Sequence, residues 1–144
     1  MTDREMKELE EYYLHIQRVG NVRTLDHARR WSDGVLKTLG TSLHRKVKKD
    51  LAKRLPSELA RSLNGVFWLV HFHDPTLSSR EFLHRAGRRS GNSNSEFARY
   101  PTLAVFGGLK MFADNSELEK EIAEDLSPDI RQLWEQAQPV GKQD

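Results

Sequence analysis

The sequence contains no cysteine. Disulfides, thiolate metal sites and a cysteine nucleophile are therefore excluded. Long apolar runs are lacking as well: the longest, Val66–Val70, is followed by His71 and is far shorter than the roughly 18 residues that a membrane-spanning helix needs. The charged segment Met1–Glu5 has none of the apolar character of a secretory signal. We therefore expect a cytoplasmic protein with no membrane segment.

Common catalytic motifs are also missing. The sequence has no G-x-S-x-G nucleophile elbow, no G-x-x-x-x-G-K-[ST] phosphate loop and no dinucleotide-binding G-x-G-x-x-G. These are glycine patterns that indicate acyl transfer or nucleotide chemistry. We accordingly assign no catalytic residue and no cofactor, and we favour a role that is not enzymatic.

What the chain does have is charge of both signs, unevenly distributed. Its 144 residues are 37% hydrophobic and 31% charged, with a formal net charge of +2, which is typical of a folded globular protein. Residues 23–61 carry eleven Lys and Arg against four Asp and Glu, a balance of +7, whereas residues 110–144 carry four against nine, a balance of −5. A basic and an acidic region of this kind produce a field that orients charged partners.

Apolar residues recur at helical spacing through most of the chain. In the first half, the spacing predicts helices over 4–18, 24–39 and 43–54. Pro56 fits the first turn of a fourth helix, which we expect to continue toward residue 72, although the composition of Val66–Phe72 is also compatible with a short strand.

The second half carries signals for helix ends. Ser78–Glu81 and Ser93–Glu96 both have the capping-box pattern that opens a helix. Asn115 and Ser116 begin an acidic helix, and Ser127 before Pro128 begins the last one.

The two halves also resemble each other. After one inserted residue, Leu51-Ala52 aligns with Ile122-Ala123. At an offset of 70, four identical pairs precede this match: Ala28/Ala98, Arg29/Arg99, Val35/Val105 and Leu39/Leu109. Similarity in collinear order is the signature of a repeat. The prediction is an all-α fold made of a tandem repeat of two related three- to four-helix units packed together, at 1–74 and 75–138, with a disordered tail at 139–144.

Several blocks of the sequence resemble the DUF2267 family of small bacterial helical proteins. They are His27–Arg29, Val35–Gly40 and Leu55–Leu59, and Glu81–Ala86 is similar to the helix that opens the second half of that family. Together they extend over most of residues 10–135. The resemblance implies an all-helical tandem repeat, and it implies no particular activity.

The helix predicted over 43–54 has a strongly basic face. At 100° per residue its apolar side chains share one side, and the opposite side carries Arg45, Lys46, Lys49 and Lys53, flanked by Lys48 and Arg54. Like charges four residues apart on a helix repel each other, so a negatively charged partner would relieve the repulsion. The face fits a solvated surface, an acidic protein surface or the phosphates of a nucleic acid.

The equivalent helix of the second unit is acidic. Lys46 corresponds to Glu117 and Lys53 to Glu124, so the outer face has reversed its charge. We define the basic surface as Arg45, Lys46, Lys49, Lys53 and Arg54. We define the acidic surface as Glu117, Glu121, Glu124 and Asp125. Our hypothesis is that the two attract each other, either between the two units of one molecule or head-to-tail between molecules.

The segment that joins the units suggests two further sites. On a strand, His71 and His73 would share a face, and with Asp74 they would offer zinc or iron ligands. Because no second ligand pair at a characteristic spacing completes such a site, we favour ordinary histidines and keep a metal-dependent enzyme as the weakest alternative. An exposed apolar surface would mark a dimer contact, and its candidates are Val66, Phe67, Trp68, Val70 and Phe72.

Most of the aromatic residues are predicted to form the core: Trp31, Trp68, Trp134, Phe67, Phe72, Phe82 and Phe97. The exposed apolar surface at Val66–Phe72 is the alternative for the members of that segment. The function that this sequence favours is a non-catalytic helical interaction module that binds another protein or itself. A nucleic-acid-binding module that uses the basic surface is the alternative.

Overall fold

The computed structural model describes residues 2–66, 76–91, 95–113 and 116–141, and among these residues it contains eight α-helices and no β-strand. The all-α prediction is therefore confirmed. The helices are α1 Asp3–Val19, α2 Leu25–Ser42, α3 Arg45–Arg54, α4 Ser57–Leu63, α5 Ser79–Arg89, α6 Arg99–Phe112, α7 Ser116–Asp125 and α8 Pro128–Gln136, with a 3-10 helix at Ser95–Ala98 before α6. No helix within the described ranges has both the length and the apolar composition to cross a membrane.

Several helix ends are set by serine caps, a proline and an asparagine that are visible in the sequence. The Ser78 hydroxyl accepts the Glu81 N–H at 3.0 Å and begins α5. The Ser127 hydroxyl accepts the Ile130 N–H at 3.3 Å and begins α8, where Pro128 occupies the first turn. Just beyond α1, Asn21 adopts a left-handed φ of 56°, a conformation that asparagine tolerates better than most residues.

Two expectations about helix ends are wrong. The fourth helix does not continue toward residue 72: α4 ends at Leu63, Asn64 is its C-cap, and the Gly65 N–H turns back to the Ser62 carbonyl at 3.0 Å. Ser95 and Glu96, the described part of the Ser93–Glu96 pattern, lie in a 3-10 helix that precedes α6 and not at the start of an α-helix. Pro101 then lies in the first turn of α6, where its missing N–H costs little.

The helices before and after residues 67–75 pack crosswise. The helix α1 lies against α6, and α5 lies against α2, so the first helix of each half contacts the second helix of the other. Small residues allow both approaches: a Cβ atom at Gly34 would lie 2.2 Å from the Ser90 Oγ, and one at Gly20 would lie 3.3 Å from the Ala104 Cβ. The two contacts are related by an offset of 70 residues, since position 20 corresponds to 90 and position 34 to 104.

The core is continuous through these contacts. The Tyr12 side chain is fully buried, and its hydroxyl forms a 2.7 Å hydrogen bond with Ser32. Gly108 packs so closely on the Tyr12 ring that a Cβ there would lie 2.6 Å from a ring carbon. On the other side, the Phe106 ring lies 5.7 Å from Phe82 and 5.4 Å from Trp134. Aromatic rings at such distances attract each other, and this attraction adds to the stabilisation gained by burying their apolar surface.

Candidate interaction surface

The helices α3 and α7 lie side by side and run in opposite directions. At one end, the His44 backbone N–H donates to the Asp125 Oδ2 at 2.6 Å, and the His44 ring nitrogen Nδ1 pairs with the other carboxylate oxygen. At the other end, the end of α3 and the start of α7 border one groove of about 270 Å³. Its lining residues are Asp50, Lys53, Arg54, Glu117, Leu118 and Glu121.

Asp125 serves the fold at this junction. His44 is the N-cap of α3, and its side chain makes no capping hydrogen bond to its own helix. The Asp125 carboxylate, whose side chain is only 9% exposed, accepts the His44 N–H instead. A carboxylate there also interacts favourably with the positive end of the α3 dipole. Of the four acidic residues singled out in the sequence, Asp125 therefore points toward α3.

Apolar side chains hold both helices onto the core. Leu51 and Leu55 of the first half are buried, and so are Ile122 and Leu126, which lie 71 residues further along. Leu118 is buried as well, whereas Val47 is half-buried. With these stripes facing inward, the outward faces of α3 and α7 consist mainly of charged residues.

The basic surface is solvent-exposed along the whole of α3, since Arg45, Lys46, Lys49, Lys53 and Arg54 are all exposed. The Lys46 ammonium donates to Asp50 at 3.2 Å within the helix. This hydrogen bond, together with the charges of Asp50 and Glu121, raises the pKa of Lys46. The α7 carboxylate of Glu121 is therefore close enough to α3 to affect the pKa of a lysine on that helix.

The acidic side chains of α7 flank the basic ones. Glu117 and Glu124 are exposed, and Glu121 is half-buried in the groove beside α3. The structure thus places two strips of opposite sign next to each other. We call this the bipolar surface, and it comprises Arg45, Lys46, Lys49, Lys53 and Arg54 of α3 with Glu117, Glu121 and Glu124 of α7.

A second concave site, which the sequence did not indicate, lies between α1, α2 and α4. This cleft of about 380 Å³ is lined by Met6, Leu9, Glu10, Tyr13, Leu25, Arg29 and Glu58. The Tyr13 hydroxyl donates to the Glu58 carboxylate, and the Arg29 guanidinium lies 5.3 Å from the centre of the Tyr13 ring. Burial, and then the hydrogen bond to Glu58, raise the pKa of Tyr13, so its hydroxyl stays protonated.

Exposed aromatic residues occur where α6 begins. Phe97 is 66% exposed and Tyr100 is 64% exposed, so the prediction that Phe97 belongs to the core is wrong. The 3-10 helix directs Phe97 outward, while its neighbour Ala98 is fully buried. Trp31, Phe82 and Trp134 are buried as predicted.

The remaining predicted sites lie outside the described residues. His71, His73 and Asp74 belong to this group, as do Phe67, Trp68, Val70 and Phe72 of the proposed apolar contact; Val66 is described and is half-buried. Within the described ranges, no group of three or more His, Asp or Glu side chains is placed to hold a metal ion. His15 is buried, and this burial lowers its pKa to about 4, so the imidazole is neutral at pH 7.

A family model matches most of the chain. The family model described as "Uncharacterized conserved protein (DUF2267)" matches residues 10–133, which confirms the resemblance seen in the sequence. No curated protein and no solved structure matches the chain.

Proposed function

The chain belongs to the DUF2267 family, and from its surface we propose that it is a non-catalytic helical module that binds another protein. One observation carries the proposal: α3 and α7 pack against each other and expose strips of opposite charge. A surface of this kind orients and selects a partner whose charges alternate in the complementary way. The absence of cysteine supports a cytoplasmic setting.

Charge of both signs favours a protein partner over a nucleic acid. A phosphate backbone is uniformly negative, and when it approached Lys49 or Lys53 it would also approach Glu117 and Glu121. A protein surface can match both strips. Because exposed ion pairs contribute only about 0–1 kcal/mol each, we expect the surface to set orientation and specificity, and other contacts to add affinity. The segment Val66–Phe72 is the proposed source of such contacts.

Nucleic acid is the second candidate, because five exposed cations lie on the single short helix α3. Neutralisation of phosphates by these side chains would give binding that weakens steeply with salt. A gel shift with random DNA and RNA at about 50 mM salt separates the candidates. If the wild type shifts DNA or RNA and Lys49→Glu does not, the nucleic-acid candidate is favoured. If the wild type produces no shift, this candidate is rejected.

We further propose that the fold arose by duplication of a helical unit, with 1–74 and 75–138 as its copies. The crosswise packing of α1 on α6 and α5 on α2 supports this origin. So do the left-handed residues Asn21 and Gly91, which are 70 positions apart and follow α1 and α5. Duplication then explains how the paired helices α3 and α7 kept equivalent apolar stripes while their outer faces diverged.

The proposal is tested by capture from cell extract with a charge-exchanged variant. The double variant Lys49→Glu with Glu124→Lys keeps the net charge and places one acidic residue in the basic strip and one basic residue in the acidic strip. Arg80→Glu with Glu135→Lys is the matched control, because both of its residues are exposed outside the bipolar surface. We expect a protein that the wild type and the control retain at about 50 mM salt and the exchanged variant does not. Identical capture by all three proteins would rule out the bipolar surface as the binding site.

A further inference from the structure

The bipolar surface is complementary to itself. We propose that its partner is a second copy of this chain, bound about a two-fold axis that runs parallel to α3 and α7, so that α3 of each copy lies over α7 of the other. The inference rests on the proposed function, since it names the partner of the same surface.

Symmetry and charge together select this arrangement. A two-fold contact uses the same surface on both copies. An axis across the helices would place α3 over the second α3, and cations would face cations. An axis along the helices places each basic strip over an acidic strip instead. Because like charges brought together at an interface are strongly unfavourable, only the second arrangement is attractive.

The register of the charges matches this arrangement. The antiparallel pair places residue 44 beside residue 125, so residues of α3 and α7 whose numbers add up to about 169 lie at the same height. A two-fold axis parallel to the helices preserves height. Lys46, Lys49 and Lys53 are therefore level with Glu124, Glu121 and Glu117 of the second copy, and each pair of numbers adds up to 170. The steps along the two helices, three residues and then four, are also the same.

The symmetry makes every pair occur twice, which gives six Lys–Glu pairs across the contact. Both helices have ten residues, so each strip is about 15 Å long and the two strips end together. The lysines are exposed, as are Glu117 and Glu124. Because these faces contain little apolar surface, the dimer depends on charge and dissociates as added salt screens the pairs.

A reciprocal charge reversal tests the arrangement. The first variant, Lys49→Glu with Lys53→Glu, places carboxylates level with Glu121 and Glu117 of the second copy. The second variant, Glu117→Lys with Glu121→Lys, places cations level with Lys53 and Lys49 of the second copy. Each should be monomeric alone, with association weakened by about tenfold or more relative to the wild type. When the two variants are mixed, both strips are again matched, and a heterodimer should form.

Sedimentation equilibrium with one fluorescently labelled variant measures these masses, and circular dichroism confirms that each variant is folded. The matched controls are Arg80→Glu with Arg88→Glu and Glu11→Lys with Glu135→Lys, which change the net charge equally at exposed positions outside the bipolar surface. They should associate as the wild type does. The chain carrying all four reversals should also dimerise, because each reversed position again lies level with a residue of opposite charge.

Three results would overturn the inference: a wild type that is monomeric at about 50 mM salt and millimolar concentration, a mixture that does not associate, or masses that grow beyond the dimer. The last would indicate an open head-to-tail contact. If the wild type is monomeric while the exchanged variant Lys49→Glu with Glu124→Lys loses a captured protein, the second copy is rejected and the proposed function stands. If neither is observed, both are rejected.

Discussion

The Asp125 carboxylate accepts the backbone N–H of His44 at 2.6 Å, so a residue of α7 caps the start of α3, 81 positions earlier in the chain. Caps are usually formed by the residue that precedes the helix. Here the cap is supplied from the other half of the chain, and it fixes the antiparallel register of α3 and α7. The geometry of the bipolar surface is therefore supported by this carboxylate as well as by the buried apolar side chains of both helices.

Replacing Asp125 should destabilise the protein without disturbing the charge of the outer strips. We expect Asp125→Ala to lower the free energy of unfolding by about 1–2 kcal/mol, which is the usual cost of a lost cap. Asp125→Asn should lose less, because its side-chain oxygen still accepts the His44 N–H. Urea unfolding measures both. Equal losses for the two variants would contradict the capping role.

The polar pair Tyr12 and Ser32 has a counterpart 70 residues later, Phe82 and Thr102. Phe82 has no hydroxyl, and among the described residues the buried Thr102 Oγ1 has no hydrogen-bond partner. We expect Thr102→Val to raise the free energy of unfolding by about 1 kcal/mol, because an unsatisfied buried hydroxyl is removed without a change of shape. Tyr12→Phe should lower it by a similar amount. Thermal unfolding of both variants tests the contrast, and a Thr102→Val protein that is less stable than the wild type would refute the first expectation.

A larger side chain at Gly34 should destabilise the protein unless Ser90 is made smaller at the same time. Gly34→Ala places a Cβ 2.2 Å from the Ser90 Oγ, and we expect a loss of about 1–3 kcal/mol from overpacking. In the equivalent place the chain has Ala104 against Gly20. The double variant Gly34→Ala with Ser90→Gly recreates that pair and should recover part of the loss. A double-mutant cycle measures the recovery, and strictly additive losses would argue that the two contacts are not equivalent.

His15 should make the protein less stable in acid. Burial, and then the nearby charge of Arg18, lower its pKa in the folded protein from 6.5 to about 4. Between these values the unfolded chain binds a proton that the folded chain does not, so stability falls as the pH drops from 6.5 toward 4, by up to about 3 kcal/mol. Above pH 6.5 the imidazole is neutral in both states and this effect vanishes. Urea unfolding of the wild type and of His15→Gln over this range tests it: parallel pH dependence in both proteins would show that His15 is not the cause.

Features that depend on local spacing were predictable from the sequence. The stripes that bury Leu51 and Ile122 follow from helical periodicity alone, and Ser78 and Ser127 cap the helices they were expected to open. The limits of α4 were not predictable from the apolar run after it, because Asn64 and Gly65 end the helix before that run begins.

Features that depend on contacts between residues far apart in the chain could not be predicted from the sequence. The cleft beside α1 requires Tyr13 to meet Glu58, 45 residues away, and no periodicity places these two together. Phe97 is hydrophobic enough for the core and is nevertheless exposed. The direction of its side chain is set by the backbone of the 3-10 helix, which hydrophobicity alone does not predict. The charge reversal between α3 and α7 was visible in the sequence, whereas their antiparallel contact became apparent only from the fold.

Because of the crosswise packing, the stability of each half depends on the presence of the other. Because α1 is covered by α6 and α2 by α5, a half expressed alone would leave much of its apolar surface in water, and substitutions that stabilise one half act on the interior of both. A chain cut within residues 67–75 would still hold its two fragments together by mutual burial. The exposed faces of α3 and α7 lie outside this shared interior and can change independently of it, whereas the buried contacts between the two halves can change only together.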